Sequence, residues 1–384
     1  MSSSEQQNVF KNVSTACNNF AIPLYRNLVT NIDNNIITSP LSLYMILSLL
    51  FNGSGGSTLN ELKSVLYYDN AIFSNNEFES LIYLLKNIKG TDLRIANAMY
   101  IQDGFQLMAD FLSTYTNVFQ SISRINFENI AYSVETINTW VQEATNNKIS
   151  NIISSDNIDE DTKIVLVNAI YFKSKWLDMF DEKDTTKRNF YISETETNLV
   201  PIMFKKSNYV YGEIPAWHTK FIEIPYSNQD FVMTILLPNK ETDLQTLEKN
   251  FNWETLANAP KSIDRIELYL PRFKFEIAIN MEDVLRKIGL NTIFEDSADF
   301  THLSSIPLKV SHVVQKIFIE VNEEGSEAAA ATATGFRTKR SAVLPMTFVV
   351  DRPFLFVIEH KPSKLLLFLG SVRKIESTHE KDEL

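Results

Sequence analysis

A single domain of the mixed α+β class is what this sequence predicts, and three observations carry the expectation. Apolar residues recur at helical spacing early in the chain. Strand-like runs dominate its later part, without the regular alternation of a doubly wound sheet. The composition, 44% hydrophobic and 22% charged over 384 residues, is that of an ordinary globular chain and sets disorder, collagen and coiled coil aside. No repeat and no linker divides the chain.

The elements follow in order. Cys17, Phe20, Ala21, Leu24, Tyr25 and Leu28 share one face of an amphipathic helix. Ser39-Pro40 reads as an N-cap followed by proline at the first helical position, and the helix to Phe51 is apolar nearly all round, hence buried. Asn52-Gly53-Ser54-Gly55-Gly56 ends it, and Thr58 with Glu61 forms the capping box of the next helix. Ile164 to Phe172 is a nearly continuous β-branched and aromatic run, the mark of a strand covered on both faces, and Asn168 within it must find hydrogen-bond partners inside. Phe221 to Leu237 is two strands about the turn 227–230, and Phe273, Phe275 and Ile277 alternate along another. A helix from Met281 to about Ile288 stops at Gly289. Phe354 to Ile358 and Leu365 to Leu369 are strands joined by Lys361-Pro362-Ser363.

Several function classes fall away. The formal net charge of −11 argues against a nucleic-acid surface, and no stretch reaches the roughly 18 apolar residues of a membrane helix. Cys17 is the single cysteine, which excludes an internal disulfide and a cysteine-based zinc site. The five histidines, His218, His302, His312, His360 and His379, are scattered, and no nucleophile elbow or metalloprotease spacing occurs, so no enzyme and no metal or cofactor is expected. Glycines 53, 55 and 56 lack the Lys-Ser/Thr of a phosphate loop and read as a turn between helices.

The two ends of the chain point to different compartments. Lys381-Asp382-Glu383-Leu384 spells an endoplasmic-reticulum retrieval signal, and Asn12-Val13-Ser14 and Asn52-Gly53-Ser54 are possible glycosylation acceptors. Met1 to Gln7 has neither the basic nor the apolar region of a secretory signal. Either the sequence begins after signal removal, with an added Met, and the protein is luminal or in the secretory pathway, or it is cytoplasmic and the tetrapeptide is accidental. The specified tetrapeptide at a specified place favours the first.

Three compositions meet after Ile317: a strand-like piece, a run of small residues from Ala328 to Gly335, and the basic segment Arg337-Thr338-Lys339-Arg340 before Ser341. Extended, the small-residue run would set Ser326, Ala328, Ala330, Thr332 and Thr334 on one side and Glu327, Ala329, Ala331 and Ala333 on the other. Such a segment can slide between two existing strands. Composition alone leaves an Ala-rich linker or a short helix equally open.

The hinge Glu323-Glu324-Gly325-Ser326-Glu327-Ala328-Ala329-Ala330-Ala331-Thr332, with Val310 to Lys316 before it, resembles that of inhibitory serpins. Further segments match that family in order: Ser39-Pro40-Leu41-Ser42, Leu93 to Ala98, Ile137 to Val141, Asn146 to Ile149, Leu166 to Lys173, Leu268 to Phe273, Asp351 to Phe354 and Phe368 to Gly370. The resemblance implies one domain over 1–376 with a reactive-centre loop at about 323–345, and a tail, 377–384, carrying the retrieval signal. It implies a metastable α+β serpin fold of about nine helices and three β-sheets with an exposed loop, long recognised as a case of strand addition. After one cleavage the loop enters a sheet and the acylated protease is trapped. By the same resemblance Ser39, Ser42, Asn168 and His312 form a shutter beneath the central sheet, and Trp176 lies at the breach where insertion begins; none is catalytic.

Two bonds compete for cleavage. Loop length as counted in the family places the scissile residue at Lys339, giving Lys339-Arg340. Arg337, Lys339 and Arg340 together resemble the sequence cut by furin-like proprotein convertases, giving Arg340-Ser341, because acidic subsites accept such a row through charge-assisted pairs. The favoured reading is a convertase inhibitor cut after Arg340. The alternatives are an inhibitor of trypsin-like proteases cut after Lys339 or Arg340, and a non-inhibitory chaperone serpin of the endoplasmic reticulum, which would be expected to lack the small-residue run. The expected partners are a target serine protease and the retrieval receptor, with the protein a monomer.

Overall fold

The computed structural model describes residues 3–30, 32–68, 83, 90–109, 111, 121–325 and 346–377. Helices α1 (Ser3–Leu28), α2 (Pro40–Gly53) and α3 (Gly56–Val65) open the chain, with the short strand β1 (Ile36–Thr38) between the first two. Two strands, β2 (Thr91–Gln102) and β3 (Ser121–Ile125), precede helix α4 (Ile130–Ala144) and the long strand β4 (Ile164–Ser174). Then come β5 (Thr186–Tyr191), β6 (Thr197–Ile214), β7 (Thr219–Pro225) and β8 (Phe231–Pro238), and the short helices α5 (Leu244–Asn250) and α6 (Trp253–Ala257). β9 (Ser262–Pro271), β10 (Phe273–Asn280), α7 (Glu282–Lys287) and β11 (Val310–Val321) lead up to 326–345. β12 (Met346–Val349), β13 (Phe354–His360) and β14 (Leu365–Val372) complete the fold.

Two sheets hold these strands. The central one has five, in the order β10-β11-β4-β2-β3. β4 is buried along nearly its whole length because the sheet is covered on both sides. Leu166 and Ile170, with Val313 and Ile317 of β11, join the large core beneath α1 and α2. Their alternate neighbours Val167, Tyr171, Val314 and Phe318 pack on the α4 side with Ile137 and Val141. The two-residue period of a strand thus divides the buried apolar residues of β4 and β11 between two cores.

The second sheet runs β1-β14-β13-β8-β7-β6-β9-β12, with β5 also on β6. Among the described residues there are therefore two hydrogen-bonded sheets and seven α-helices, fewer than the about nine helices and three sheets that the resemblance implied. One strand accounts for the sheet count: β6 pairs with β9 from Ile202 to Tyr211 and with β7 from Val210 to Ile214, joining two sets of strands into one ladder.

Most local expectations hold. The face of α1 from Cys17 to Leu28 is buried, and Ser39 caps α2, its Oγ accepting from Ser42 N at 3.4 Å. The capping box at Thr58 and Glu61 does not form. α3 starts earlier, at Gly56, and both side chains bond outside the helix: Thr58 Oγ1 accepts from Asp299 N at 2.9 Å, and Glu61 Oε2 accepts from Asn291 N and Thr292 N, each at 2.7 Å. A neighbouring loop with unpaired N–H groups recruits these acceptors first. No helix among the described residues is long and apolar enough to cross a membrane.

Candidate functional site

β4 and β11 are parallel neighbours at the middle of the central sheet. Their pairing runs from Ile164 with Val310 to Tyr171 with Phe318 and, among the described residues, goes no further. Beyond that point Phe172 to Ser174 pair with β2, and Ile319 to Val321 pair with β10. The seam is closed along most of its length and parted at one end, the end at which the chain passes from β11 to residue 326.

At the parted end Trp176 Nε1 donates to Asn322 O and Trp176 N to Glu324 O, both at 2.9 Å, and Phe180 N donates to Glu323 O at 2.9 Å. The indole stacks on Tyr226 with centroids 4.6 Å apart. Glu323 is buried, and its Oε1 accepts from Arg272 Nη2 and Thr185 Oγ1, each at 2.6 Å. Burial would push this carboxyl up, but the bonds from Arg272 and Thr185 outweigh it and hold the group below its ordinary value. Gly325 follows with φ +96°, and a Cβ there would lie 2.3 Å from Ser174 O and 2.5 Å from Trp176 N, so no other residue fits without displacing the backbone. Trp176, expected at this breach, is there; Glu324 and Gly325 of the hinge rest against it. Ser326, Glu327, Ala328, Ala329, Ala330, Ala331 and Thr332 lie outside the described residues, as do Arg337, Lys339, Arg340, Ser341 and the retrieval signal 381–384.

Midway along the seam a buried polar group crosses it. Asn168 Nδ2 donates to Ser42 Oγ and to Asn97 Oδ1, and Asn168 Oδ1 accepts from Gln315 Nε2 at 2.7 Å. Gln315 Nε2 also donates to Ser39 O at 3.0 Å, while its Oε1 accepts from Thr38 Oγ1 at 2.8 Å and Ser39 N at 3.2 Å. Both donors and both acceptor sites of that amide are used. Ser39, Ser42 and Asn168 therefore meet as expected. His312 does not join them: the expectation that it completes the shutter is corrected here, and Gln315 holds that place. The two residues are three apart on β11, so they point to opposite faces. His312 is half-buried on the α4 side, where burial lowers its pKa against the opposing charges of Glu282 and Asp159, and its Nδ1 has no partner among the described residues.

A second residue missed in the sequence lies on that other face. Lys316, 9% exposed, donates from Nζ to Ser150 O and, at 3.3 Å, to Asn151 O, and pairs with Glu276 of β10 at 2.7 Å. It ties β11 to the segment 145–163 that runs from α4 back to β4. A lysine beside Gln315, between the apolar pairs Val313-Val314 and Ile317-Phe318, was the signal. Of the acceptor asparagines, Asn12 is exposed on α1, whereas Asn52 is half-buried, its Nδ2 donating to Ser48 O at 2.8 Å.

Comparisons with known proteins give the family. The family model described as Serpin (serine protease inhibitor) matches residues 15–375. Antichymotrypsin-2 of Bombyx mori is 36% identical over 370 residues, covering 94% of this chain and 97% of its own. Antitrypsin of Bombyx mori is 36% identical over 362 residues, covering 92% and 91%. The solved structure of Serpin48 from Tenebrio molitor superposes with a TM-score of 0.84 at 29% identity, covering 98% of this chain and all of that one. The α+β architecture around the central sheet is matched over nearly its whole length by that family model and by these relatives. This chain belongs to the serpin family.

The seam yields a stability prediction. Gln315→Leu strips partners from Asn168, Thr38 and Ser39 inside the core and should cost about 1–3 kcal/mol. Thermal unfolding should show a lower midpoint for the variant, and native gels should show faster conversion to an inserted or polymeric form on mild heating. An unchanged midpoint would remove the seam role given to Gln315.

Proposed function

We propose that this serpin inhibits serine proteases as a suicide substrate, and that its target is a furin-like proprotein convertase cutting Arg340-Ser341. The observation that carries the reading is the seam parted beside Gly325, the last described residue before the small-residue run Ala328 to Ala331. A strand entering between β4 and β11 from that end would exchange their mutual hydrogen bonds for bonds to itself. Small inward side chains would keep charge and bulk out of the two cores that β4 and β11 already fill. The basic run Arg337 to Arg340 supports the convertase as target. A second reading, a trypsin-like target cut after Lys339 or Arg340, draws support from the relative named antitrypsin. The chaperone reading is weaker, because the hinge keeps its small residues. We place the protein in the endoplasmic-reticulum lumen or secretory pathway, where convertases mature, on the strength of Lys381 to Leu384, with Asn12 the more accessible glycan acceptor.

Incubation with a furin-like convertase should give an SDS-stable complex and a released fragment whose N-terminus is Ser341. A fragment starting at Arg340, formed with trypsin and not with the convertase, would move the target to the trypsin-like class. Absence of a complex with either would end the inhibitor reading.

Ala330→Arg should leave the loop cleavable while turning inhibitor into substrate, since the guanidinium would have to enter the interior during insertion. The yield of covalent complex against cleaved product on a gel measures this. Full yield from the variant would show that residue 330 does not face inward.

Deletion of Lys381 to Leu384, in a protein expressed with its native upstream sequence, should send it into the medium with inhibition in vitro unchanged. A cytoplasmic location for both versions would remove the luminal assignment and with it the convertase.

A further inference from the structure

Met346, at the start of β12, is five residues on from Ser341, a span of at most about 17 Å when extended. A protease that grips Arg340-Ser341 is at least a small domain across, roughly 30 Å. It must therefore rest on whatever surface surrounds Met346.

That surface is one face of β9 and β6, next to β12. Met346 pairs with Ile266 and Thr347 with Glu267. Glu267 lies opposite Lys206, Arg265 opposite Asn208 and Ile263 opposite Val210, all on the outward face by strand alternation. Ile263 is 74% exposed, the most of any large apolar side chain described. Arg265 is exposed beside it, and Lys206 forms an exposed ion pair with Glu267 at 2.7 Å. Further along, the Arg188 guanidinium sits 4.3 Å from the Tyr269 ring centroid. Arg188, Lys206 and Arg265 against Glu267 make this face net positive in a chain of net charge −11. The inward residues Ile266, Leu268 and Leu270 fill the core instead, so the charges and the bare isoleucine do nothing for packing.

We propose that the outward face of β9 and β6, centred on Ile263, Arg265 and Lys206, is a second docking surface for the target protease, fitted to an acidic rim around its substrate cleft. The inference rests on the inhibitor reading above. A protease that takes Arg337, Lys339 and Arg340 has acidic subsites, and the positive face extends the same complementarity beyond the loop. Ile263 supplies apolar contact at the end of β9 from which its pairing with β12 at Met346 begins. The face acts on encounter and not on insertion, since it is separate from the β4–β11 seam.

The test is the double variant Arg265→Glu with Lys206→Glu, assayed with a furin-like convertase and with trypsin over a range of salt. With whichever protease the parent protein traps, the association rate constant should fall by about tenfold or more at low salt, the gap narrowing as salt rises. Complex yield per inhibitor should stay at the parent value. A rate constant within about twofold of the parent's at every salt overturns the surface while leaving the inhibitor reading intact. Trapping of trypsin alone removes the convertase reading, and the surface is then judged on trypsin. Loss of heparin retention with no change in the protease rate would assign the face to a polyanion and likewise overturn it.

Discussion

Gln315 and Asn168 face one another across the parallel contact of β4 and β11, and the 2.7 Å hydrogen bond that Gln315 Nε2 donates to Asn168 Oδ1 is the constraint on which the rest of the central sheet depends. This parallel pairing ends at Tyr171 and Phe318, beyond which the two strands pair with their outer neighbours instead of with each other. The network tying Asn168 to Ser42 and Gln315 to Ser39 also fastens that seam to the start of α2, so the seam and the helix beneath it hold together. Each such bond adds only about 1 kcal/mol net, while an orphaned buried amide costs more. The closed seam is well defined without being strongly held.

Two further polar fastenings act on the same strand from other directions. Glu323, gripped by Arg272 and Thr185, pins the exit of β11 beside Trp176. Lys316 pins its opposite face to the segment following α4. All three would have to rearrange for a strand to enter. A core sealed by apolar packing alone would resist that entry far more, because packed hydrocarbon has no alternative partners, whereas hydrogen bonds can be exchanged for others. The polar residues buried in β11 are fully bonded to partners on β4, on the start of α2 and on the segment after α4.

The sequence by itself determined what depends on neighbours along the chain. The apolar spacing of α1, the Ser39-Pro40 start of α2, the buried run of β4 and the turns between β7 and β8 and between β13 and β14 all follow from local patterns, and the structure bears them out. Ser39, Ser42, Asn168 and Trp176 were named by the family resemblance, and the structure brings the first three together and sets Trp176 against Asn322 and Glu324. The tertiary structure decided what depends on partners distant in sequence. Thr58 and Glu61 look like a capping box, yet a loop more than two hundred residues away claims both. His312 was the conspicuous side chain of its segment, but which residue of β11 faces α2 is set by register with β4, and that register puts Gln315 there. Lys316 and Gln315 are adjacent, and one closes the inner face and the other the outer. No local pattern distinguishes them, because the two faces of a strand become different only when a sheet is packed on both sides.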